Sequence, residues 1–419
     1  MTNTPDPRSG LPAGGAAQRP RVAIVHDFLS QHGGAERVVL QFAELFPDAP
    51  IFTAFYDPEG TFPAFRDLDV RPSPLQSRIS ANSFRSQVLR YPGAFRSFDV
   101  TDYDAVLVSS SAFAHHIRHP RTVVYCHTPP RFLYAPHTYA RGRARHVAHA
   151  VGPALAPLRR ADRRAARGAA AYLANSELTA RRIKRVYGID ATVVPPPVST
   201  DHLPAILSPM PVRKRAIVVS RLLPYKRVDV AIRACRAAGV PLTVVGDGPE
   251  REQLEQIGGA TTFVGRVSDE NLGALIASSS VVLVPGAEDF GLVPLEANYA
   301  GRPVVAFAAG GSRETVTPGR NGYLVQDHDP LSWAAAIEET VSREWDPAAL
   351  RAETERYSAQ RFNATIERQV RNVCRPSAAQ PANDNSREDQ QRAQFDRLIV
   401  TIDGVTQMVE TQGNPPPAG

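Results

Sequence analysis

The chain has 419 residues, of which 43% are apolar and 21% charged, proportions typical of a soluble protein with two or three domains. No apolar run approaches the roughly 18 residues of a membrane-spanning helix, and three scattered cysteines outline neither a disulfide framework nor a zinc site. The net charge of +6 indicates a polyanionic partner: nucleic acid, an anionic membrane face or a phosphate-bearing substrate. We therefore expect a cytoplasmic protein, at most peripheral to a membrane.

The first half of the chain predicts one α/β domain. Residues 1–20 are rich in proline, glycine and alanine and predict a disordered leader. A short β-rich strand over 21–27 leads through Gly33 and Gly34 into a predicted helix over 35–46, whose Glu36 we expect to face water. Further strands are predicted at 105–109, 122–126 and 171–174. The prolines at 195–197 end this domain, predicted over 21–195, and open a linker over 196–212.

The alternation of strands and helices then starts again, which predicts a second domain over 213–355. Strands are predicted at 216–220, 241–245, 262–264, 281–284 and 304–307, with helices between them. Such alternation implies a parallel sheet with right-handed crossovers, so the fold class is α/β with two Rossmann-like domains. A closing helix is predicted over 356–374, and the polar composition of 375–419 predicts a flexible tail.

The loop after the predicted strand at 281–284 carries the sharpest motif. Ligands of open parallel sheets bind where strands end and helices begin, because helix N-termini offer free N–H groups. Backbone N–H groups from Gly291 and Leu292 onward could meet a phosphate, and Glu296 could accept both hydroxyls of a ribose. Glu288 would lie at the cleft mouth. Spacing alone equally allows Glu296 as a first-turn acid favoured by the helix dipole and Glu288 as a solvated loop residue.

Three other loops hold candidate site residues. Arg221 and Lys226 follow a strand end and could clamp a diphosphate, or belong to a solvated basic loop. Gly33 and Gly34 could let the backbone approach a ligand, or form a plain tight turn. His127, at the end of the predicted strand 122–126, could bond a sugar hydroxyl or transfer a proton, although a lone histidine is more often structural.

The stretch Arg141–Arg167 contains eight arginines and one acid, Asp162. With alanine, valine and leucine interleaved, part of it predicts a basic amphipathic helix on an anionic membrane leaflet. A solvated basic surface is the alternative. No nucleic-acid partner is expected, because the stretch has no aromatic interleaving or reader motif.

Together these loops resemble the retaining glycosyltransferases of family 4, over about residues 22–373. The resemblance is carried by several short motifs: Gly-Gly-Ala-Glu-Arg at 33–37, Cys-His-Thr-Pro at 126–129, Ala-Asn-Ser at 174–176, Ser-Arg-Leu-x3-Lys at 220–226, Val-Gly-Asp-Gly-Pro at 245–249, the Glu-x7-Glu of Glu288 and Glu296, Gly-Gly-Ser-x-Glu-Thr at 310–315 and Asn-Gly-Tyr-Leu-Val at 321–325.

The resemblance implies the GT-B architecture, two domains facing each other across a cleft, with the closing helix crossing back to the first domain. It implies Arg221 and Lys226 on the diphosphate of a nucleotide-sugar donor and Glu296 on its ribose. It places Glu288 and His127 by the transferred sugar as catalytic residues and Gly34 by the phosphates. No metal or other cofactor is expected, because the loops show no Asp-x-Asp motif and no His/Cys cluster.

Within the family, the Tyr-Cys-His-Thr-Pro-x-Arg segment is similar to mannosyltransferases of O-antigen and exopolysaccharide assembly. It favours transfer of mannose from GDP-mannose to a lipid-linked or saccharide acceptor, with peripheral attachment to the inner membrane face. A UDP-sugar donor is the alternative, as is a non-catalytic protein that binds nucleotide sugars or nucleic acid. A retaining glycosidase with two carboxylates is rejected, since that reaction needs no diphosphate clamp.

Overall fold

The computed structural model describes residues 19–78, 87, 89–135, 155–198 and 213–375. Almost all of the predicted leader and tail, most of the linker 196–212 and the arginines at 141, 143 and 145 lie outside these residues. The described chain forms two parallel sheets with helices on both faces, which confirms the α/β class with two Rossmann-like domains. None of its helices combines the length and the apolar character that a membrane crossing requires.

The first sheet has seven parallel strands in the order β3-β2-β1-β4-β5-β6-β7. Its central strands are almost wholly buried, as strands covered by helices on both faces must be. The strands are β1 (Val22–His26), β2 (Ile51–Thr53), β3 (Val70–Pro72), β4 (Ala105–Ser110), β5 (Thr122–Cys126), β6 (Ala171–Ala174) and β7 (Thr192–Val193). The helices are α1 (Gly34–Leu45), α2 (Tyr91–Arg96), α3 (Arg131–Tyr134), α4 (Ala156–Ala166) and α5 (Glu177–Tyr187).

The second sheet has six parallel strands in the order β10-β9-β8-β11-β12-β13. Its strands are β8 (Arg213–Val219), β9 (Leu242–Val245), β10 (Thr261–Gly265), β11 (Ser279–Val284), β12 (Val304–Phe307) and β13 (Gly322–Val325). The helices are α6 (Val228–Ala237), α7 (Arg251–Glu255), α8 (Asp269–Ala277), α9 (Val293–Tyr299), α10 (Ser312–Thr315), α11 (Pro330–Ser342), α12 (Pro347–Ala352) and α13 (Ala359–Cys374).

Each sheet reverses its strand order at one place, between β1 and β4 in the first domain and between β8 and β11 in the second. At such a switch point the two connecting loops run to opposite faces, which leaves a crevice at the carboxyl ends of the strands. The loops after β1, β8 and β11 carry most of the predicted site residues. The topology therefore brings loops that are far apart in the sequence to the two crevices.

The last helix, α13, packs on the first domain. Phe362, Ile366 and Val370 lie on one side of it and join the core beneath α1, at the i, i+4, i+8 spacing of one helical face. The Phe362 ring stacks on Phe42 of α1, with centroids 5.9 Å apart, and meets Tyr125 of β5 edge to face. The chain thus returns from the second domain, and its last helix completes the hydrophobic core of the first domain.

The prediction that Glu36 faces water is wrong, since its side chain is only 1% exposed. Glu36 lies in the first turn of α1 beside His26 at the end of β1, so the strand end covers it. The helix face periodicity held for Val38 and Phe42 further along. The short strands β2, β3, β7 and β13 have two to four residues each and escaped prediction, because so few residues show no clear periodicity.

Candidate functional site

Lys226 and Glu288 form an ion pair between two neighbouring loops of the second domain. Lys226 ends a single 3-10 turn, Pro224–Lys226, between β8 and α6, and Glu288 follows β11. Both side chains are largely buried, at 13% and 24% exposure. A Cβ on Gly286 would lie 2.7 Å from Lys226 Cα, so only glycine lets these two loops approach so closely. The structure therefore joins two residues that the sequence placed in separate motifs.

Glu296 lies in α9 and is 5% exposed. Among the described residues its carboxylate has no hydrogen-bond or ion-pair partner. Burial raises the pKa of this carboxyl; the Arg37 charge opposes the rise and Asp269 adds to it. Gly291, with φ +85, turns the chain into α9, in a conformation that favours glycine. A buried acid without a partner points to a ligand that donates hydrogen bonds.

Arg221, Gly34 and Leu292 lie where the two domains meet. The exposed Arg221 guanidinium donates to Gln31 Oε1 of the first-domain glycine loop at 3.2 Å. Gly34 begins α1, and a Cβ there would lie 3.2 Å from Leu292 Cδ1 of the second domain. The predicted donor residues of both domains thus line one cleft, with Gly33 as the N-cap of α1.

His127 follows β5 and its Nε2 lies 2.8 Å from Ser109 Oγ. Burial lowers the pKa of His127 to about 3, and neighbouring His26 lowers it further, while Asp289 opposes them. The imidazole is therefore neutral at physiological pH. His127 is the histidine among the predicted site residues, and it belongs to the first domain.

Asp289 of the second domain binds two arginines of the first. Arg131 and Arg182 both form ion pairs with its Oδ1, and the hydroxyl of Ser176 donates to its backbone carbonyl at 2.9 Å. All three charged side chains are between 18% and 29% exposed, so solvent screens these pairs only in part. Since Asp289 follows Glu288 directly, the first domain holds the loop that carries Glu288.

Two further contacts cross between the domains. The Glu314 carboxylate accepts from the backbone N–H groups of Glu177 and Leu178, at 2.8 and 3.0 Å, and so caps the N-terminus of α5. Arg37 of α1 donates to Asp269 of α8 at 2.9 Å. The cleft is thus closed by charges on both sides of the candidate site.

A buried cluster of His115, His116 and Asp162 has metal-ligand geometry within the described residues. However, His116 Nδ1 lies 3.0 Å from an Arg96 guanidinium nitrogen, which can only donate. Nδ1 is therefore the acceptor, and the proton is on Nε2, the atom that faces Asp162 at 3.3 Å. A protonated Nε2 cannot ligate a metal, so the geometry makes this cluster a hydrogen-bonded anchor for α4.

Asp162 remains ionised inside this anchor. Burial alone would raise its pKa, but the charge and hydrogen bond of His115, together with hydrogen bonds from His116 and Tyr134, outweigh burial and hold the pKa well below its ordinary value. Asp162 is the acid within the basic stretch, and it faces inward rather than toward a membrane.

Sequence reasoning missed several residues of the cleft. Asp289 lies inside the Glu-x7-Glu segment, Arg131 ends the Tyr-Cys-His-Thr-Pro-x-Arg segment and Glu314 lies inside the Gly-Gly-Ser-x-Glu-Thr segment, so motif analysis could have identified all three. Arg182 lies in none of the motifs, because its role depends on a partner more than one hundred residues away.

Residues 207–361 match the family described as Glycosyl transferases group 1, and residues 32–202 match Glycosyltransferase Family 4. A GDP-mannose-dependent alpha-mannosyltransferase of Mycolicibacterium smegmatis is 32% identical over 73% of this chain and 84% of its own length. A D-inositol 3-phosphate glycosyltransferase of the same organism is 31% identical over 54% of this chain. The chain spans 58% of that relative and 49% of a Rhodococcus erythropolis protein of the same description.

Solved structures share the fold. HepE of Anabaena, in complex with UDP and glucose, superposes with a TM-score of 0.63 at 20% identity, over 84% of this chain and 100% of its own. Sucrose-phosphate synthase from Thermosynechococcus elongatus gives 0.58 at 18% identity, over 90% and 98%. These likenesses confirm the GT-B arrangement of the two domains.

Removing the Asp289 charge should loosen the contact between the domains. In Asp289→Asn both arginines lose their counter-charge, at a cost of about 1–3 kcal/mol for partly buried pairs. We expect a larger radius of gyration in X-ray scattering. Asp247→Asn is the matched control, because among the described residues the carboxylate of that loop acid accepts a hydrogen bond from the adjacent Gly248 N–H alone. Equal scattering from wild type and Asp289→Asn would show that this ion pair does not hold the cleft.

Replacing Glu296 by glutamine should stabilise the protein without ligand, and more so at high pH. A carboxyl whose folded pKa is raised costs stability once it ionises, so the cost is present above the folded pKa and disappears as pH falls below the unfolded value of about 4.3. We expect Glu296→Gln to unfold at a higher temperature than wild type at pH 8, with the difference vanishing near pH 4. A gain that is the same at both pH values would contradict the raised pKa.

Proposed function

We propose that this chain, which belongs to the family 4 glycosyltransferases, transfers a hexose from a nucleotide-sugar donor to an acceptor hydroxyl. The observation that carries the proposal is the buried, unpartnered carboxylate of Glu296, next to the loop that holds Lys226 and Glu288. A ribose offers two hydroxyl donors to such a carboxylate, and a diphosphate offers an anion to the cation beside it. Both groups occur together in a nucleotide sugar.

The electrostatics of the cleft suit the departure of a nucleoside diphosphate. Lys226 is paired with Glu288, so on binding a diphosphate Lys226 would exchange one anionic partner for another. Arg221, exposed at the rim, would stabilise the charge that grows on the leaving oxygen from the other side. The N–H groups at the start of α9 add partial positive charge. The chain's own residues would therefore stabilise the negative charge of the departing diphosphate.

The roles of the two catalytic candidates follow from the neutral ring of His127 and from the ion pair of Glu288. His127 is neutral, so it would act as a hydrogen-bond partner of the transferred sugar rather than as a cation. Glu288, released from Lys226 by the diphosphate, would lie beside the sugar whose configuration the reaction retains. We propose a front-face transfer, in which the bond from the sugar to the diphosphate oxygen breaks, the acceptor oxygen bonds to the same face of the sugar, and the acceptor proton passes to the departing diphosphate oxygen.

GDP-mannose is the donor we propose. The M. smegmatis relative that covers most of this chain is described as GDP-mannose-dependent, and so is a Mycobacterium tuberculosis relative, 30% identical over 73% of its own length. A UDP-sugar is the alternative donor. Among the relatives, the inositol 3-phosphate enzymes name a phosphate-bearing acceptor, which would suit the basic character of this chain.

We propose a lipid-linked acceptor, in surface polysaccharide assembly, and docking on an anionic membrane through α4 and α5. Within the described part of the basic stretch, Arg159, Arg163 and Arg167 donate to backbone carbonyls of the first domain. Arg160 and Arg164 are exposed, one turn apart on α4, without a partner among the described residues. These two arginines are therefore free to meet lipid phosphates.

Donor binding tests the proposed reaction. A ligand that binds the native state raises the unfolding temperature, so we expect GDP-mannose to raise it more than UDP-glucose or dTDP-glucose, with release of GDP when acceptor lipid is added. Lys226→Ala should weaken donor affinity about tenfold or more, since it deletes a charge-assisted contact of about 1.5–3 kcal/mol. Arg233→Ala, an exposed cation on α6, is the control. If no donor binds, while nucleic acid does with a steep salt dependence, the protein is not this enzyme.

Vesicle binding tests the docking surface. We expect Arg160→Glu with Arg164→Glu to reduce binding to vesicles rich in anionic lipid about tenfold or more, because about 1 kcal/mol per cation is lost and repulsion added. Hydrolysis of soluble donor should survive, since neither arginine reaches the cleft loops. Arg368→Glu on α13, also exposed, is the matched control. Unchanged vesicle binding by the double variant would remove α4 from the membrane contact.

A further inference from the structure

A row of polar side chains runs from the buried end of β1 to His127. Ser109 Oγ lies 2.8 Å from His127 Nε2 and 3.0 Å from His26 Nδ1. His26 Nε2 in turn lies 3.8 Å from Glu36 Oε1, which is ion-pair range but too long for a hydrogen bond. Ser109, His26 and Glu36 are at most 2% exposed, so protein and not water determines where their protons lie.

One contact fixes the proton of His26. Its Nδ1 also lies 3.2 Å from the backbone carbonyl of Ser109, and a carbonyl oxygen can only accept. His26 Nδ1 therefore carries a proton, which the Ser109 carbonyl and hydroxyl oxygens both accept. The Ser109 hydroxyl is left to donate its own hydrogen to the remaining neighbour, His127 Nε2.

The same reasoning then fixes the proton of His127. Because Nε2 accepts from Ser109, the single proton of the neutral ring is on Nδ1. Nδ1 has no hydrogen-bond partner among the described residues, and the ring is only partly covered. The titratable group that faces it from the second domain is Asp289, and the one from the first domain is His26. The N–H without a partner is thus on the ring nitrogen that does not contact Ser109.

We propose that Ser109 and His26 are positioning residues that hold His127 as a neutral Nδ1–H donor toward an oxygen of the transferred sugar. The inference rests on the proposed function for its ligand, and it makes His127 a fixed hydrogen-bond donor rather than a general acid or base. Glu36 closes the buried end of the row, beneath Gly33 of the cleft loop.

Ring 15N chemical shifts of histidine test the proton assignment without any turnover. In protein labelled at its histidines, with the His127 signal identified by its loss in His127→Gln, we expect the Nδ1–H tautomer in wild type from pH 5 to 8. Ser109→Ala removes the donor to Nε2 and should shift the ring toward the Nε2–H tautomer. Ser109→Thr keeps a hydroxyl and should restore the wild-type pattern. Ser110→Ala, which removes the next hydroxyl of β4, should change nothing at His127.

Kinetics then test the role in catalysis. We expect Ser109→Ala and His26→Phe to lower kcat roughly 10- to 100-fold, the range of supporting residues around a reactive group, with donor KM changed much less. Ser109→Thr should recover most of kcat, and no ionisation of His127 should appear in the pH profile between 5 and 8.

An Nε2–H tautomer in the wild type would overturn the inference, whether or not the donor turns over. Equal kcat in wild type and Ser109→Ala, with the tautomer changed, would overturn the positioning role. Absence of any donor turnover in the wild type, with the Nδ1–H tautomer present, would instead count against the proposed function.

Discussion

The ion pairs of Asp289 with Arg131 and Arg182 determine which side chains of the two domains face each other. Two parallel sheets can present their carboxyl ends to one cleft at many angles, and the sheets themselves do not choose among them. Here a single carboxylate, directly after Glu288, meets two guanidiniums that belong to the loops after β5 and to α5. With this contact made, Asp289 is the second-domain carboxylate that faces His127, and Gly34 meets Leu292.

A ligand that enters the cleft must compete with ion pairs that already exist there. Lys226 has Glu288 as its partner. A diphosphate would offer Lys226 more negative charge than one carboxylate does, but Glu288 would then lose its own partner. Glu296 is the opposite case, since its carboxylate is buried without one. The domain therefore carries one satisfied and one unsatisfied charge at the same switch point. An unsatisfied buried acid lowers the stability of the empty protein, and a hydrogen-bond donor that satisfied it would bind more tightly for the same reason.

The fold and half of the site could be predicted because both depend on local pattern. Buried strands followed by glycine loops and helices are visible in a single sequence, and strand ends mark where ligands bind, which located Arg221, Lys226, Glu288, Glu296 and His127. What could not be predicted depends on pairs distant in the chain. The helical periodicity predicted a solvent-facing Glu36, whereas the end of β1 covers its side chain in the structure. Arg182 and Asp289 are 107 residues apart, and no periodicity links them.

The basic stretch shows why the roles of its individual arginines could not be assigned from the sequence. Arg163 of α4 and Arg167, directly after this helix, donate to the carbonyls of Val186 and Tyr187 at the C-terminal end of α5, where cations are favoured by the helix dipole. The same helix α5 has its N-terminus capped by Glu314 and carries Arg182 to Asp289. Its exposed arginines, with those of α4, form the proposed membrane face. Helix α5 therefore contacts the carbonyl-bound arginines Arg163 and Arg167 at one end and the second domain at the other, so the membrane surface proposed on α4 would be linked to the cleft through α5.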